Sequence, residues 1–545
     1  MIAHQEQSET LPSTPARIIP EGTPANSQIR VIHHLESQIK ILDDEQKKAA
    51  SEYPDGPQRL RGLAGTGKTV LFSKRAAKIH YEHPDWKLAF VFFTRSLYHQ
   101  IIQERISLYY RELSNGTDPN WENLKVLHAW GAVEQPGFYR TLAQTCNINP
   151  KTVNYVESKI GKVSPGKAFK YICDELEEQR NNNIPILYDA ILIDEGQDLP
   201  DSFYRLARHT LSDPKRLYWA YDEAQGIGTL TVPQPITIFG RHPDGTPVVD
   251  LGGNKLPDGK KTPPNYEGSN IPKARNINQC YRTPRLLLMT AHAVNMGLLR
   301  SGGALQGVTD QVEWKKLGYQ VLEGDFTQAS VKAGKTVKIT RSPETSPHPI
   351  DQDNFEVREA IGDPLIIKTF SNESQEQEWI AQQVAYDIKQ GFNPLDIMIA
   401  ALCGDYEKKY FYAIQTALDH YGVKSIIAGV DTNPSNFIQD GYVTISNIYR
   451  AKGNESWKVY ACRLHYATQP LSWKQENELH KRNEAFVALT RARVWCVATG
   501  LEAPIFDELR QAKEQYPNLI FPSFNKASLK RINDEEPGEA DANIS

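Results

Sequence analysis

Gly62-Leu63-Ala64-Gly65-Thr66-Gly67-Lys68-Thr69 decides the fold class of this chain. The octet fits G-x-x-x-x-G-K-[ST], a glycine-rich loop between a strand and a helix that cradles phosphate groups. The run before it, Gln58-Arg59-Leu60-Arg61, alternates as a strand does. Glycines let consecutive backbone N–H groups turn towards one point, and a helix starting near Lys68 adds its positive dipole end there. Gly62, Ala64, Gly65, Thr66 and Gly67 would supply the backbone of the cradle. Lys68 would reach the β- and γ-phosphate oxygens of ATP, and the Thr69 hydroxyl would hold Mg2+. The loop specifies a triphosphate and leaves open what its hydrolysis drives.

Outward from the loop, strand and helix patterns alternate. Residues 69 to 81 carry a helical pattern, and Leu88 to Thr94 is a continuous apolar run suited to a strand buried on both faces. A helical pattern from Leu97 to Leu113, a strand at Val126–Trp130 and helices between Lys151 and Gln179 follow. Asp189–Asp194 and Arg216–Asp222 are further apolar strands, each ending in an acid. This alternation predicts an α/β parallel sheet. From Phe239 to Asn270 the chain is dense in Gly, Pro, Asn and Asp, which predicts a loop or hairpin insertion at a domain boundary. Alternation resumes with strands at Leu365–Phe370, Ile397–Leu402, Tyr442–Ile448, Lys458–Leu464 and Val494–Thr499. Helices fall at Ser374–Lys389, Tyr406–Tyr421 and Glu476–Arg491. This second α/β unit carries no phosphate loop of its own.

Bulk properties narrow the class. At 545 residues the chain is long enough for about three to four domain-sized units. Apolar content of 40% and charged content of 23% fit a water-soluble globular protein, and no apolar run approaches the roughly 18 residues of a spanning helix. Residues 1–28 are expected as a disordered lead and residues 523–545 as an acidic disordered tail. Six widely spaced cysteines form no C-x-x-C pair, so a cytoplasmic setting is expected rather than a disulfide framework or a zinc site. A net charge of −4 excludes a globally basic coat but not a basic groove for nucleic acid.

Asp194-Glu195-Gly196-Gln197-Asp198 closes an apolar strand, where an acid can meet a metal held by the phosphate loop at the carboxyl edge of a parallel sheet. Asp194 would support Mg2+, and Glu195 would activate the attacking water. An acidic strand end by itself fits a solvated turn equally well.

With these motifs in order, the chain resembles the superfamily 1 helicases of the UvrD/Rep/PcrA type over residues 46 to 499. Leu42-Asp-Asp-Glu-Gln46 stands where that family has its adenine-reading glutamine. Phe92-Phe93-Thr94-Arg95 and Leu127-His128-Ala-Trp130 resemble its strand-contacting motifs. Asp222-Glu-Ala-Gln225 and Asn278-Gln-Cys-Tyr281-Arg282-Thr283 resemble its phosphate-sensing and adenine-stacking segments. Ala451-Lys-Gly453-Asn-Glu455 and Val487-Ala-Leu-Thr-Arg491-Ala-Arg493 are similar to two motifs of its second motor domain.

The resemblance implies two RecA-like parallel-sheet domains in tandem. The first would span 29–275 with a loop-rich insertion at 233–272, the second 276–522 with an accessory insertion at about 301–364. It implies that Gln46 and Tyr281 contact adenine, that Gly453 and Glu455 line the ribose side, and that Gln225, Arg282 and Arg491 meet the γ-phosphate. Tyr281 fits core filling as well. Phe93, Thr94, Arg95, His128, Trp130 and Tyr449 would touch the nucleic-acid strand, although Phe93, His128 and Trp130 fit core packing equally.

The implied activity is an ATP-driven DNA translocase and helicase moving 3′ to 5′ on single-stranded or tailed duplex DNA. A nuclease or a repair or defence factor would be its protein partner, and no membrane is involved. Two alternatives stay open: an ATP-gated nucleic-acid clamp without unwinding, and an RNA-directed motor. The chain departs from the family pattern in three places. Gly226-Ile-Gly-Thr229 lacks the family's tryptophan, Asn447 and Tyr449 stand where it has threonine and histidine, and only a short linker joins Val430 to Tyr442.

Overall fold

The apolar runs of the N-terminal half pair into one six-stranded sheet. Its strands are β1 (Gln58–Gly62), β2 (Leu88–Phe92), β3 (Leu124–His128), β4 (Tyr188–Ile193), β5 (Leu211–Tyr221) and β6 (Ala274–Ile277). Their order across the sheet is β3-β2-β4-β5-β1-β6, and every neighbouring pair is parallel. All five residues of β2 are buried, which is why that strand is apolar throughout instead of alternating. The computed structural model describes residues 19, 21–38, 44–93, 98–132, 136–181, 183–222, 234–307, 311–324, 336–353, 355–402, 404, 407–432, 437–469, 478–522 and 530–531. The lead expected at 1–28 falls largely outside these residues, and the tail expected at 523–545 does so except for 530–531.

Strand β5 lies between the loop strand β1 and the acidic strand β4. Register brings Arg61 opposite Tyr221 and Ile193 opposite Trp219, so the carboxyl ends of β1, β5 and β4 come out together. One hydrophobic core of this unit joins β2, β4 and β5 to the helices Phe138–Thr145, Pro165–Arg180 and Asp201–His209 through Phe138, Phe169 and Phe203. The Lys68–Glu82 helix packs against Tyr98–Leu113.

The C-terminal half forms a second six-stranded parallel sheet. Its order is Leu365–Phe370, Ala492–Leu501, Ser456–Cys462, Ile397–Ala401, Val443–Asn447 and Ser425–Ile427. Sequence reading had the Leu365–Phe370 strand to the residue and omitted the three-residue Ser425–Ile427 edge strand, which is too short to show a period.

The chain divides into two compact units. One holds residues 47–62 and 68–277; the other holds residues up to Gln46, Leu63–Gly67 and 278–530. Two expected boundaries therefore move. The Gln28–Gln38 helix belongs with the second sheet, because Ile29, Val31, Ile32 and Leu35 bury against its core beside Ile380 and Val384. The first sheet also runs on to Ile277, which pairs with Gly62 on β1.

The two insertions differ in kind. Residues 241–272 carry isolated antiparallel bridges, Arg241 with Pro247, Lys255 with Lys261 and Asn265 with Pro272. The accessory insertion expected at about 301–364 contributes strands to a small separate sheet. Its strands Tyr319–Glu323 and Thr336–Arg341 pair with each other, and Asn518–Pro522 completes their three-stranded antiparallel sheet from beyond the second parallel sheet. Among the described residues no helix is long and apolar enough to cross a membrane.

Candidate active site

The phosphate-loop pattern closes into a real loop between β1 and the Lys68–Glu82 helix. Gly65 and Gly67 have φ of +78° and +80°, values that side chains disfavour. The Thr66 hydroxyl donates to the Leu63 carbonyl at 2.9 Å and tightens the turn. Lys68 is only 5% exposed, and its ammonium donates to the Gly62 carbonyl at 2.8 Å. The same ammonium lies 3.8 Å from a carboxylate oxygen of Asp222, the residue that follows β5.

Asp194 follows β4 and is fully buried. Its Oδ2 accepts from the Thr69 hydroxyl at 2.6 Å, and its Oδ1 accepts from the Glu195 N–H at 3.0 Å. Glu195 has φ of +53°, a left-handed conformation that is uncommon away from glycine and turns the chain sharply at the sheet edge. The Gln197 amide donates to Glu195 Oε2 at 2.5 Å, while its own oxygen accepts from the Asp222 N–H at 3.0 Å. Lys68, Thr69, Asp194, Glu195, Gln197 and Asp222 therefore form one polar group over the ends of β1, β4 and β5.

This donor set suits Mg2+ and a triphosphate. A hydroxyl and a carboxylate already in contact offer the hard oxygen ligands that Mg2+ takes, and a buried ammonium beside a glycine turn complements phosphate. Thr69 and Asp194 are the residues that would hold the metal. Gln197 and Asp222 lie within the quoted motifs but carried no role of their own in the sequence reading. For Asp222 a signal existed: it ends the apolar β5 strand as Asp194 ends β4.

Within the second unit, Arg282 forms an ion pair with Glu455, so these two expected nucleotide contacts engage each other. Gly453, two residues earlier, has φ of +84° and turns the chain there. Arg491 is 2% exposed and folds back along its own segment, its Nε donating to the Val487 carbonyl at 3.1 Å and a terminal nitrogen to Thr490 Oγ1 at 3.3 Å. Tyr281 is half-buried, with its phenol bonded to the Gln279 side chain. Tyr449 is exposed, and its hydroxyl donates to Glu484 at 3.3 Å.

The strand-contacting candidates on the first sheet resolve towards packing. His128 is 2% exposed; its Nε2 bonds the Phe93 carbonyl at 2.7 Å and its Nδ1 accepts from the Trp130 and Gly131 N–H groups. Trp130 is 6% exposed, packs on Phe169 and donates its indole N–H to the Lys151 carbonyl at 3.0 Å. The half-buried Phe93 ring stacks on His128 and meets Phe169. Both rings, expected at the nucleic-acid strand, are therefore buried among core side chains. Thr94, Arg95 and Gln225 lie outside the described residues, as does the side chain of Gln46.

Fold and site together define a mixed α/β protein with two six-stranded parallel sheets and a Thr69–Asp194 contact at the edge of the first. No protein-family model matches the chain, and no curated protein does. Solved structures do match it. One is the C-terminal domain of a possible DNA helicase from Lactobacillus plantarum WCFS1, 13% identical, with a TM-score of 0.21, covering 32% of this chain and 87% of that one. A likeness of that size assigns neither fold nor activity to this chain.

Proposed function

We propose that this chain is an ATP-hydrolysing motor built on two RecA-like domains, which steps 3′ to 5′ along single-stranded DNA and can open duplexes. The observation that carries the reading is the 2.6 Å hydrogen bond from Thr69 to Asp194, with Glu195 next in the chain. It joins the phosphate loop to the acid pair, and the two motifs have a shared purpose only if a metal-bound triphosphate sits between them. Bound Mg2+ would neutralise charge on the β- and γ-phosphate oxygens. Lys68 and the loop N–H groups orient the triphosphate. Glu195 takes the proton of the attacking water as oxygen bonds to the γ-phosphorus and the bond to the bridging oxygen breaks, releasing ADP and phosphate. Arg282 and Arg491 are the guanidinium groups assigned to the γ-phosphate, Arg282 after exchanging Glu455 for it.

Glu195→Gln tests the assignment. Turnover should vanish while ATP still binds, and retained hydrolysis removes Glu195 from its role. The burial of His128 and Trp130 favours a second reading, an ATP-gated clamp that grips nucleic acid without stepping. ATPase rates with single-stranded DNA, single-stranded RNA and no strand separate the cases. DNA stimulation supports the motor, RNA preference shifts the track, and no stimulation by either favours the clamp. Strand displacement on tailed duplexes then reports unwinding and polarity.

A further inference from the structure

Arg341 is a buried cation in a place where the sequence alternation calls for an apolar residue. On the Thr336–Arg341 strand, Val337, Ile339 and Arg341 are the buried positions. Arg341 is 1% exposed, and no carboxylate pairs with it among the described residues. Its guanidinium is caged by neutral acceptors: the Asn278 carbonyl at 2.9 Å, the Thr345 carbonyl at 2.7 Å, Ser346 Oγ at 3.2 Å and the Leu317 carbonyl. Its charge lies over the Tyr319 ring. The Asp351 carboxylate and the Tyr319 phenol also act on its charge, but its direct fork contacts are to these neutral acceptors, so it is their geometry that the guanidinium fixes.

That geometry fixes one short strap. Arg341 holds the Asn278 carbonyl, and the Thr345 carbonyl it also holds accepts from the Cys280 N–H at 3.1 Å. At Gly318 (φ +84°) a Cβ would stand 2.8 Å from both the Asn278 oxygen and an Arg341 nitrogen, so no side chain fits beside this junction. The strap in turn grips the phosphate loop, whose residues Leu63–Gly67 belong to the same compact unit. The Cys280 thiol donates to the Ala64 carbonyl at 3.1 Å, and the Tyr281 N–H donates to the Gly65 carbonyl at 3.3 Å. A Cβ on Gly65 would meet Cys280 Sγ at 2.8 Å, so strap and loop are in full contact.

A trans peptide points its C=O and the following N–H in opposite directions. Holding the Ala64 oxygen on the strap therefore turns the Gly65 N–H away from it, the orientation an anion cradle needs. We infer that Arg341 is a positioning residue for the phosphate loop: through the Asn278–Thr283 strap, the small antiparallel sheet sets the direction of the loop's N–H groups and hence the affinity for a triphosphate. The inference deepens the nucleotide reading above and rests on it.

The test measures the Kd and KM for Mg2+-ATP, kcat, and the melting temperature without nucleotide, on the full chain. Arg341→Lys keeps the charge but not the fork, and Cys280→Ala removes only the thiol donor. Each should raise Kd and KM about tenfold, the equivalent of one charge-assisted or buried hydrogen bond. In both, kcat should stay near wild type, and melting without nucleotide should stay near wild type in Cys280→Ala. Lys338→Ala, on the same strand but with a side chain 30% exposed, should change nothing. A folded Arg341→Lys protein with wild-type affinity overturns the inference. If Arg341 variants do not fold, wild-type affinity in Cys280→Ala overturns it instead. Failure of the wild-type chain itself to bind ATP would sink the nucleotide reading, a distinct outcome.

Discussion

The Thr69 hydroxyl and the Asp194 carboxylate, 125 positions apart in sequence, are in hydrogen-bond contact at 2.6 Å. Neither needs the other for secondary structure: Thr69 sits in the first turn of a helix and Asp194 just past a strand. Their contact is a property of the sheet order, which brings the ends of β1, β5 and β4 to one edge. Replacing Asp194 with Ala should therefore leave the sheet intact and remove a ligand of the proposed Mg2+ site. Turnover should fall by at least about a hundredfold, and the Mg2+ concentration for half-maximal rate should rise in Thr69→Ala. Unchanged Mg2+ dependence in both variants would separate this contact from catalysis.

Trp130 is 6% exposed and packs in the core of the first unit. Trp130→Ala should lower the unfolding free energy by about 3–5 kcal/mol, the usual result of emptying a large buried aromatic site. Affinity for single strands, measured by fluorescence anisotropy on the protein that remains folded, should stay within about twofold of wild type. A large loss of strand affinity without loss of stability would restore the stacking role.

Arg482 staples three helices of the second unit. It is 0% exposed, forks onto Glu508 at 2.7 and 2.8 Å, reaches Glu478 at 3.0 Å and donates to the Val294 carbonyl at 2.6 Å. Glu508→Ala leaves that guanidinium buried with a lost partner. Urea unfolding should show a loss of about 3–5 kcal/mol. Replacing both residues with apolar ones of similar volume should cost much less, and equal losses in the two variants would contradict this account.

Acid sensitivity follows from buried imidazoles, of which His292 and His348 are lowered furthest. Burial lowers His292 and His348 from their ordinary 6.5 to about 3. Once unfolded, both regain the ordinary value, so below about pH 6.5 the unfolded chain binds more protons. Their contribution is complete above pH 6.5 and is lost on acidification at about 1.4 kcal/mol per unit each, until about pH 3. Asp351, raised by burial to about 6 from 3.8, acts in the opposite sense and offsets one of them between those values. His348→Gln removes one titration while keeping a donor for the Arg493 carbonyl. Its stability deficit should shrink by about 1.4 kcal/mol per unit as pH falls from 6.5 to 4. A deficit independent of pH would mean His348 is already charged in the fold.

Local patterns were legible where a residue's surroundings were uniform along the chain. Wholly buried strands such as β2 appear as continuous apolar runs, and the glycine loop needs only its own backbone to be recognised. Less legible were features whose partners lie far away in sequence. The strand Asn518–Pro522 completes a sheet begun nearly two hundred residues earlier. Trp130 and His128 have the same composition whether a ring faces solvent or Phe169. Arg341, mid-pattern among apolar residues, is explained only by carbonyls from three other segments.

The amino-acid sequence by itself determined the α/β class, the positions of the longer buried strands and the glycine loop, because period, burial on both faces and positive-φ glycines are local constraints. Tertiary structure alone decided that Asp222 and Gln197 join Lys68 and Glu195, that Arg282 meets Glu455, and that a strap tied to Arg341 backs the loop. Those are pairings between distant segments, and their physical origin is the order of parallel strands, which no stretch of chain carries within itself.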